Sequence, residues 1–136
     1  MTRELQTALR RVAEGGFLLS VDAFNWRGDS TFVTAVRFWF NEYQVTFLAD
    51  EELDQITAGC GPVAIEDEGE WVDLSARPVW SECVGALVGW AWCLINDRGY
   101  TDAMRIEFER PNRVGSRVVE FVVVASAFRF FEAKEF

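Results

Sequence analysis

The segment FLLSVDAFNWRGDSTFVTAVRFWFNEYQVTFLA, residues 17–49, alternates apolar and polar side chains with a period of two, as β-strands do. A loop at residues 27–30 and a turn at Asn41 and Glu42 divide it into three strands. The predicted pairs on one face are Leu19 with Phe38, Val21 with Val36, Phe38 with Val45, and Val36 with Phe47. A shift of one residue would bring Asp22 and Arg37 into this apolar set. We therefore predict an antiparallel meander with one buried face.

An amphipathic helix is predicted over residues 2–14, before this meander. Thr2 is a suitable N-cap and Gly15 a suitable C-terminal stop. The apolar positions recur at helical spacing: Leu5, Ala8, Leu9, Val12 and Ala13. We expect the helix to cover part of the second, half-apolar face of the meander, and to pack there against Trp26 and Trp39. That face carries, among others, Leu18, Phe24, Val33 and Leu48.

A second hairpin is predicted in residues 90–108, WAWCLINDRGYTDAMRIEF. Asn96 and Gly99 suit a type I turn followed by a left-handed glycine, so the polar segment between them is interpreted as a loop rather than an active site. Asn96 then lies opposite Tyr100. Asp102 follows, where we expect its carboxylate to accept hydrogen bonds from loop N–H groups or from a tyrosine hydroxyl.

The register of this hairpin predicts which side chains share a face. Trp92 is expected opposite Met104 and Trp90 opposite Ile106 on an apolar face. The other face is expected to pair Cys93 with Ala103 and Ala91 with Arg105.

The C-terminal segment RVVEFVVVASAFRFF, residues 117–131, follows a predicted loop at 111–116 and predicts one long bent strand or two short ones, with the bend at 125–127. Glu120 lies inside it, and a carboxylate there must be exposed at an edge, paired or protonated. Arg105 and Arg117 are candidate partners.

Residues 50–88 are harder to interpret. Residues 53–60 and 71–74 are candidates for short strands. Trp80, Val84 and Leu87 have helical spacing.

Together these elements predict a single α+β domain spanning residues 1–136. We expect an N-terminal amphipathic helix packed on a mostly antiparallel sheet system of two β-meanders, with about seven strands. A chain of 136 residues has the length of one domain, and its 50% apolar content is sufficient for a substantial core.

Several classes of function are disfavoured by composition. There is no histidine, so a zinc set or a Cys-His catalytic pair is not expected, and we predict no metal or cofactor site. The three cysteines, Cys60, Cys83 and Cys93, form no C-x-x-C pair and are expected to be buried and inert. No apolar stretch reaches the roughly 18 residues of a membrane span, and no secretory pattern begins the chain, so we expect a cytoplasmic protein.

Charge is concentrated in one segment. Residues 39–75 contain no Lys or Arg but hold ten of the 22 acids, which leaves 12 acids and 13 basic residues in the rest of the chain. This distribution disfavours nucleic-acid binding and predicts a surface that attracts a basic protein partner. The alternative is that these acids only keep the protein soluble. The candidate partner-binding residues are Asp50, Glu51, Glu52, Asp54, Glu66, Asp67, Glu68, Glu70 and Asp73.

Two other functions remain open. A small-ligand binder would use an aromatic pocket, lined by Trp90, Trp92, Tyr100, Asp102 and Phe108. A carboxylate-based enzyme would need Asp102 or Glu120 beside an open cleft with a raised pKa. No ordered catalytic motif supports an enzyme, and the sequence predicts no oligomeric state.

The pattern W-x-W-x-x-x-N-x-x-G-Y-x-D, which begins at Trp90 and ends at Asp102, is followed by VVVASAF. This C-terminal half resembles small bacterial domains of uncharacterised function, and the resemblance implies a bacterial origin but no active site. In size and charge the chain is also similar to toxin-immunity proteins, which implies a basic toxin or regulator as the partner.

Overall fold

The structure is a computed structural model that describes residues 2–110 and 116–133. Within these ranges it has one helix and nine strands, and the predicted α+β class is confirmed. The elements are α1 (Arg3–Glu14), β1 (Ser20–Trp26), β2 (Val33–Trp39), β3 (Gln44–Asp50), β4 (Gln55–Cys60), β5 (Gly69–Asp73), β6 (Leu87–Ile95), β7 (Thr101–Glu109), β8 (Ser116–Val124) and β9 (Ala127–Ala133). The predicted loop at 111–116 lies almost wholly outside the described residues.

The strands form one curled antiparallel sheet in the order β4-β3-β2-β9-β8-β7-β6, with β1 paired to β2 and β5 paired to β1. The two groups of strands, β1 to β5 and β6 to β9, form two hairpin systems. They are joined where Val33 of β2 pairs with Phe128 of β9. The inner face encloses the core, in which the Phe38 ring contacts the rings of Phe47, Trp80, Phe108 and Phe121. Aromatic rings from both hairpin systems therefore share one interior.

The helix begins and ends as predicted. The Thr2 hydroxyl accepts a hydrogen bond from the Leu5 N–H at 3.2 Å, which satisfies one free donor of the first turn. The N–H of Gly15 donates to the Val12 carbonyl at the other end.

The expected position of the helix is wrong. Its main contacts are with β4 and β6, the two ends of the curled sheet, and with β3. Its buried residues, Leu5, Ala8 and Val12, belong to the interior cluster. Trp26 packs on Phe32 and Trp39 lies beside Arg37, so neither tryptophan packs on the helix as predicted.

The first meander is confirmed in one of its two registers, and Val21, Val36, Phe38, Val45 and Phe47 share the buried face as predicted. The predicted faces are wrong at the strand ends: Leu19 is 51% exposed, whereas Leu18 and Val33 belong to the core. Phe38 pairs with Val45 and Val36 with Phe47, as predicted. Between β1 and β2, however, Val21 pairs with Phe38, so the predicted pairing of Leu19 with Phe38 is wrong by two residues. Because side chains alternate with a period of two, this shift leaves the same face buried.

The second hairpin has the predicted turn. Asn96 and Tyr100 are joined by a backbone hydrogen bond of 2.9 Å, and Gly99 has φ +85°.

The predicted register of this hairpin is wrong by one residue. Trp92 pairs with Arg105 and Cys93 with Met104, because an irregularity after Leu94 places an extra residue, Asp102, on β7. The slip moves Trp90 and Trp92 to the outer face of the sheet and turns Ala91 and Cys93 toward the core.

The C-terminal segment is two strands, β8 and β9, joined by a tight turn at Ala125 and Ser126. Strands are also found in residues 55–60 and 69–73, close to the predicted positions. Residues 75–85 contain turns rather than a helix, and they bring Trp80 and Cys83 into the core.

Candidate functional site

The acidic segment, residues 39–75, has two groups of acids, at 50–54 and at 66–68, and both groups reach the same end of the sheet. The turn between β3 and β4 holds Glu51 to Asp54, and Asp54 accepts a hydrogen bond of 2.7 Å from the Ser126 N–H of the β8–β9 turn. The Glu68 carbonyl accepts one of 2.8 Å from the Arg27 N–H of the β1–β2 loop. The pairing of Val33 with both Asn25 and Phe128 sets these loops side by side.

We call this end the acidic end. Its carboxylates are Asp29, Asp50, Glu51, Glu52, Asp54, Glu66, Asp67, Glu68, Asp97 and Asp102, and its loops carry the cations Arg27 and Arg98. Two of the predicted acids extend away from it along β5: Glu70 pairs with Asn25, and Asp73 with Asp22. Sequence reasoning missed Asp29, Asp97 and Asp102 as members, because only the strand order brings their loops to this end.

Some of these carboxylates hold the turns together. Asp29 accepts hydrogen bonds from the backbone N–H and the hydroxyl of Thr31, which lower the pKa of Asp29. Asp50 accepts from the Glu52 N–H at 2.9 Å. Asp54 and Asp102 accept hydrogen bonds from Ser126 and Asn96, whereas the remaining acids of the end are exposed.

The carboxylates of the acidic end take no part in the ion pairs seen in the described residues. Among the described residues, the ion pairs lie elsewhere in the protein: Arg37–Asp22, Arg105–Glu120, Arg110–Glu82 and Arg117–Glu132. No arginine in the described ranges therefore forms an ion pair with the acids of this end.

A groove crosses the acidic end between the β3–β4 turn and the β6–β7 turn. Its volume is about 730 Å³. The floor includes Val122 and Val124 of β8, and Leu53, Asp54 and Asp97 stand on its rims. An apolar floor between acidic rims suits an extended basic segment with apolar side chains.

The five residues of the predicted aromatic pocket do not converge. Trp90 and Trp92 lie on the outer face, where 63% and 42% of their surface is exposed, and their rings stack at 6.4 Å. Phe108 is buried on the inner face. Tyr100 and Asp102 line the groove of the acidic end instead.

The two candidate catalytic carboxylates lie apart in different surroundings. Asp102 accepts a hydrogen bond of 3.3 Å from the Asn96 side-chain amide, while the loop N–H groups of Arg98 and Tyr100 donate to Asn96 rather than to Asp102. Glu120 pairs with Arg105 at 3.2 Å, as one of the two alternatives predicted.

The cysteines differ in exposure. Burial raises the pKa of Cys83 to about 12 and that of Cys93 to about 11, so both thiols are protonated at neutral pH. Cys60, at the end of β4, is exposed, and the expectation that all three are buried is wrong for it. In the described residues no group of three or more Cys, Asp or Glu side chains is arranged to hold a metal ion.

A separate cavity of about 250 Å³ lies beneath the turns of residues 74–80. Trp80 and Phe130 form aromatic walls, and Arg77 lies at its border. Asn25, which is 6% exposed, also lines the cavity. Among the described residues no hydrogen bond to its side-chain amide is seen, and the amide is not one of the fully enclosed polar groups that lack a partner.

The fold and these surfaces define a small α+β domain with an acidic end. The chain belongs to the family of unknown function DUF6334, which matches residues 6–136. This confirms the resemblance of the C-terminal half to an uncharacterised family and extends it to almost the whole chain. A comparison with curated proteins found no match, and a comparison with solved structures found none. None of the helices among the described residues has both the length and the apolar character needed to cross a membrane.

Proposed function

We propose that this protein is a non-enzymatic interaction module whose acidic end binds a basic segment of a partner protein. The observation that carries the proposal is that Asp54 and Glu68, from separate parts of the acidic segment, reach one end through contacts with Ser126 and Arg27. A focused negative potential accelerates encounter with a positively charged partner and disfavours nucleic acid.

The groove provides shape complementarity in addition to the negative charge. An arginine or lysine of the partner would meet Asp54 or Asp97 on the rims, while an apolar neighbour would cover Val122 and Val124 on the floor. We further propose a bacterial, cytoplasmic setting with an immunity-like role. Support comes from the resemblance of residues 90–102 and from three unpaired cysteines, since free thiols persist in a reducing compartment.

The test compares two matched triple variants. The first, Glu52→Gln, Glu66→Gln and Glu68→Gln, removes three charges from the acidic end. The control, Glu4→Gln, Glu14→Gln and Glu42→Gln, removes three exposed charges elsewhere. Neither set removes a side-chain hydrogen bond that is seen in the described residues.

Tagged wild-type and variant proteins are used to capture partners from the native host at low and high salt. We expect a basic protein that binds the wild type and the control but loses at least tenfold in binding to the first variant. A lysine- and arginine-rich peptide titrated into ¹⁵N-labelled protein should shift amide signals of the acidic end. Equal loss in both variants, or no partner under either salt condition, would contradict the proposal.

The cavity beneath residues 74–80 favours a second function, the binding of a small apolar carboxylate. The aromatic walls suit a ring, and the Asn25 amide and the Arg77 guanidinium suit a carboxylate. Benzoate is the probe, with benzyl alcohol as the uncharged comparison and saturation-transfer NMR as the readout. We expect Arg77→Gln to weaken the binding of benzoate but not that of benzyl alcohol. Absence of benzoate binding to the wild type would remove this second function.

A further inference from the structure

The outer face of strands β6 to β9 carries large exposed side chains that take no part in the proposed partner binding. Trp92 is 42% exposed and Phe131 is 51% exposed, and Trp90 stacks on Trp92. Exposed aromatic groups of this size on a sheet are a recognised sign of an interface.

The registers place four residues in one row across this face. Trp92 pairs with Arg105, Arg105 with Glu120, and Glu120 with Phe131. The row therefore runs from an aromatic ring through a cation and an anion to a second aromatic ring. The Arg105–Glu120 ion pair at its centre remains partly open to solvent, with side-chain exposures of 44% and 22%.

This order is complementary to itself. If two copies meet face to face about a two-fold axis that runs parallel to the strands between β7 and β8, the row of one copy is reversed over the row of the other. Trp92 then faces the second Phe131, and Arg105 faces the second Glu120. A two-fold axis across the strands would instead set each Arg105 against its own copy, and like charges at such a distance repel.

We propose that this face binds a second copy of the protein, with the symmetry axis parallel to the strands. Three of the strands have nine residues each, so the face measures about 30 by 19 Å and buries roughly 1,100 Å² in total. This is at the low end for a specific interface, and it predicts a dimer that forms reversibly in the micromolar range.

The carboxylates of the acidic end lie beyond this face, at the ends of the strands, while Val122 and Val124 of the groove floor lie on it beside Glu120. With the axis parallel to the strands, both acidic ends of the dimer point the same way, so a basic partner would meet two of them. The dimer itself does not depend on the proposed function.

The experiment is sedimentation velocity on the full chain from low to high micromolar concentration. The wild type should pass from monomer to dimer over this range. Arg105→Glu sets glutamates against glutamates and Glu120→Arg sets arginines against arginines, so each variant alone should dimerise at least tenfold more weakly. Mixed in equal amounts, the two variants should form a heterodimer, because each new charge then faces its opposite.

Arg117→Glu is the matched control. Arg117 pairs with Glu132 at 3.2 Å on the same two C-terminal strands, but it is out of phase with Glu120 and lies on the opposite side of the sheet. Its dimerisation should match the wild type, and circular dichroism should show native spectra for all variants. A wild type that stays monomeric, a mixture that does not associate, or an equal effect of Arg117→Glu would overturn the proposal.

Discussion

The guanidinium carbon of Arg37 lies 3.9 Å from the ring centre of Trp71. The two residues belong to β2 and β5, which are separated by β1, so their contact spans a whole strand. Asp22 of β1 accepts hydrogen bonds from Arg37 at 2.8 Å and from the Trp39 indole N–H at 2.7 Å. This cluster ties β5, whose one strand partner within residues 2–110 and 116–133 is β1, to the rest of the sheet.

Arg37→Lys should therefore destabilise the protein by about 1 kcal/mol, since lysine keeps a charge near Asp22 but loses the planar stack on Trp71. Arg37→Ala also leaves the half-buried Asp22 carboxylate without a cation, so it should lower the free energy of unfolding by about 2–3 kcal/mol. Urea denaturation measures both. Arg117→Lys, in a more exposed ion pair, should change stability by less than about 0.5 kcal/mol. Equal effects at the two arginines would contradict the role of the stack.

Ala125→Gly should stabilise the protein. Ala125 has φ +50° in the exposed β8–β9 turn, a left-handed conformation that costs a residue with a Cβ roughly 1 kcal/mol and costs glycine little. The expected gain is about 0.5–1 kcal/mol by thermal or urea denaturation. Ala13→Gly, an exposed alanine in α1, is the matched control and should destabilise by a similar amount. A loss at both positions would show that the turn is not strained.

Gly69→Ala should destabilise the protein by about 2–4 kcal/mol. An added Cβ would clash with the Asn25 carbonyl oxygen and lie 2.7 Å from the Phe24 ring, and a backbone oxygen cannot move without breaking the pairing of β5 with β1. Hydrogen exchange should show loss of protection in β5. Gly89→Ala is the control, because its Cβ would meet the flexible carboxylates of Glu107 and Glu109. A cost at Gly69 no greater than at Gly89 would contradict the close approach.

Cys60 should be modified first by a thiol reagent in the native protein. Cys83 and Cys93 have pKa values raised to about 12 and about 11 by burial, so the reactive thiolate is scarce at pH 7–8 and becomes common only near those values. Mass spectrometry should show one rapid adduct in the wild type and none in Cys60→Ser. Rapid modification of that variant at neutral pH would contradict the burial of the other two thiols.

Structural features that depend on neighbouring residues, such as turns and helix caps, could be predicted from the sequence. The Asn96–Gly99 turn and the Thr2 cap depend on residues within a few positions of each other, and both were predicted correctly. The β2–β3 register also followed from alternation, because a slip would have placed Arg37 in the core.

The β6–β7 register could not be predicted in the same way. Alternation alone favours large residues in the core, which suggested Trp90 and Trp92 rather than Ala91 and Cys93. The small residues face inward because α1 packs against β6. The extra residue at Asp102 that sets this register is a tertiary feature with no local signal.

The candidate site was only partly predictable for a similar reason. The charge of residues 50–73 was evident in the sequence, whereas the arrival of Asp29 beside it depends on the pairing of β1 with β5, and that of Asp97 on the junction of Val33 with Phe128. The buried Asn25 amide could have drawn attention as a polar residue within an apolar strand, but its cavity is formed by turns in 74–80 that lacked a clear pattern.

The helix also sets an order of events during synthesis. Residues 3–14 leave the ribosome before the strands that they cover, which are completed only at residues 60 and 95. Until then the apolar stripe of Leu5, Ala8 and Val12 has no native surface to bury. Closure of the interior is thus a late, long-range step, and the nascent chain is most vulnerable to aggregation in the interval before it.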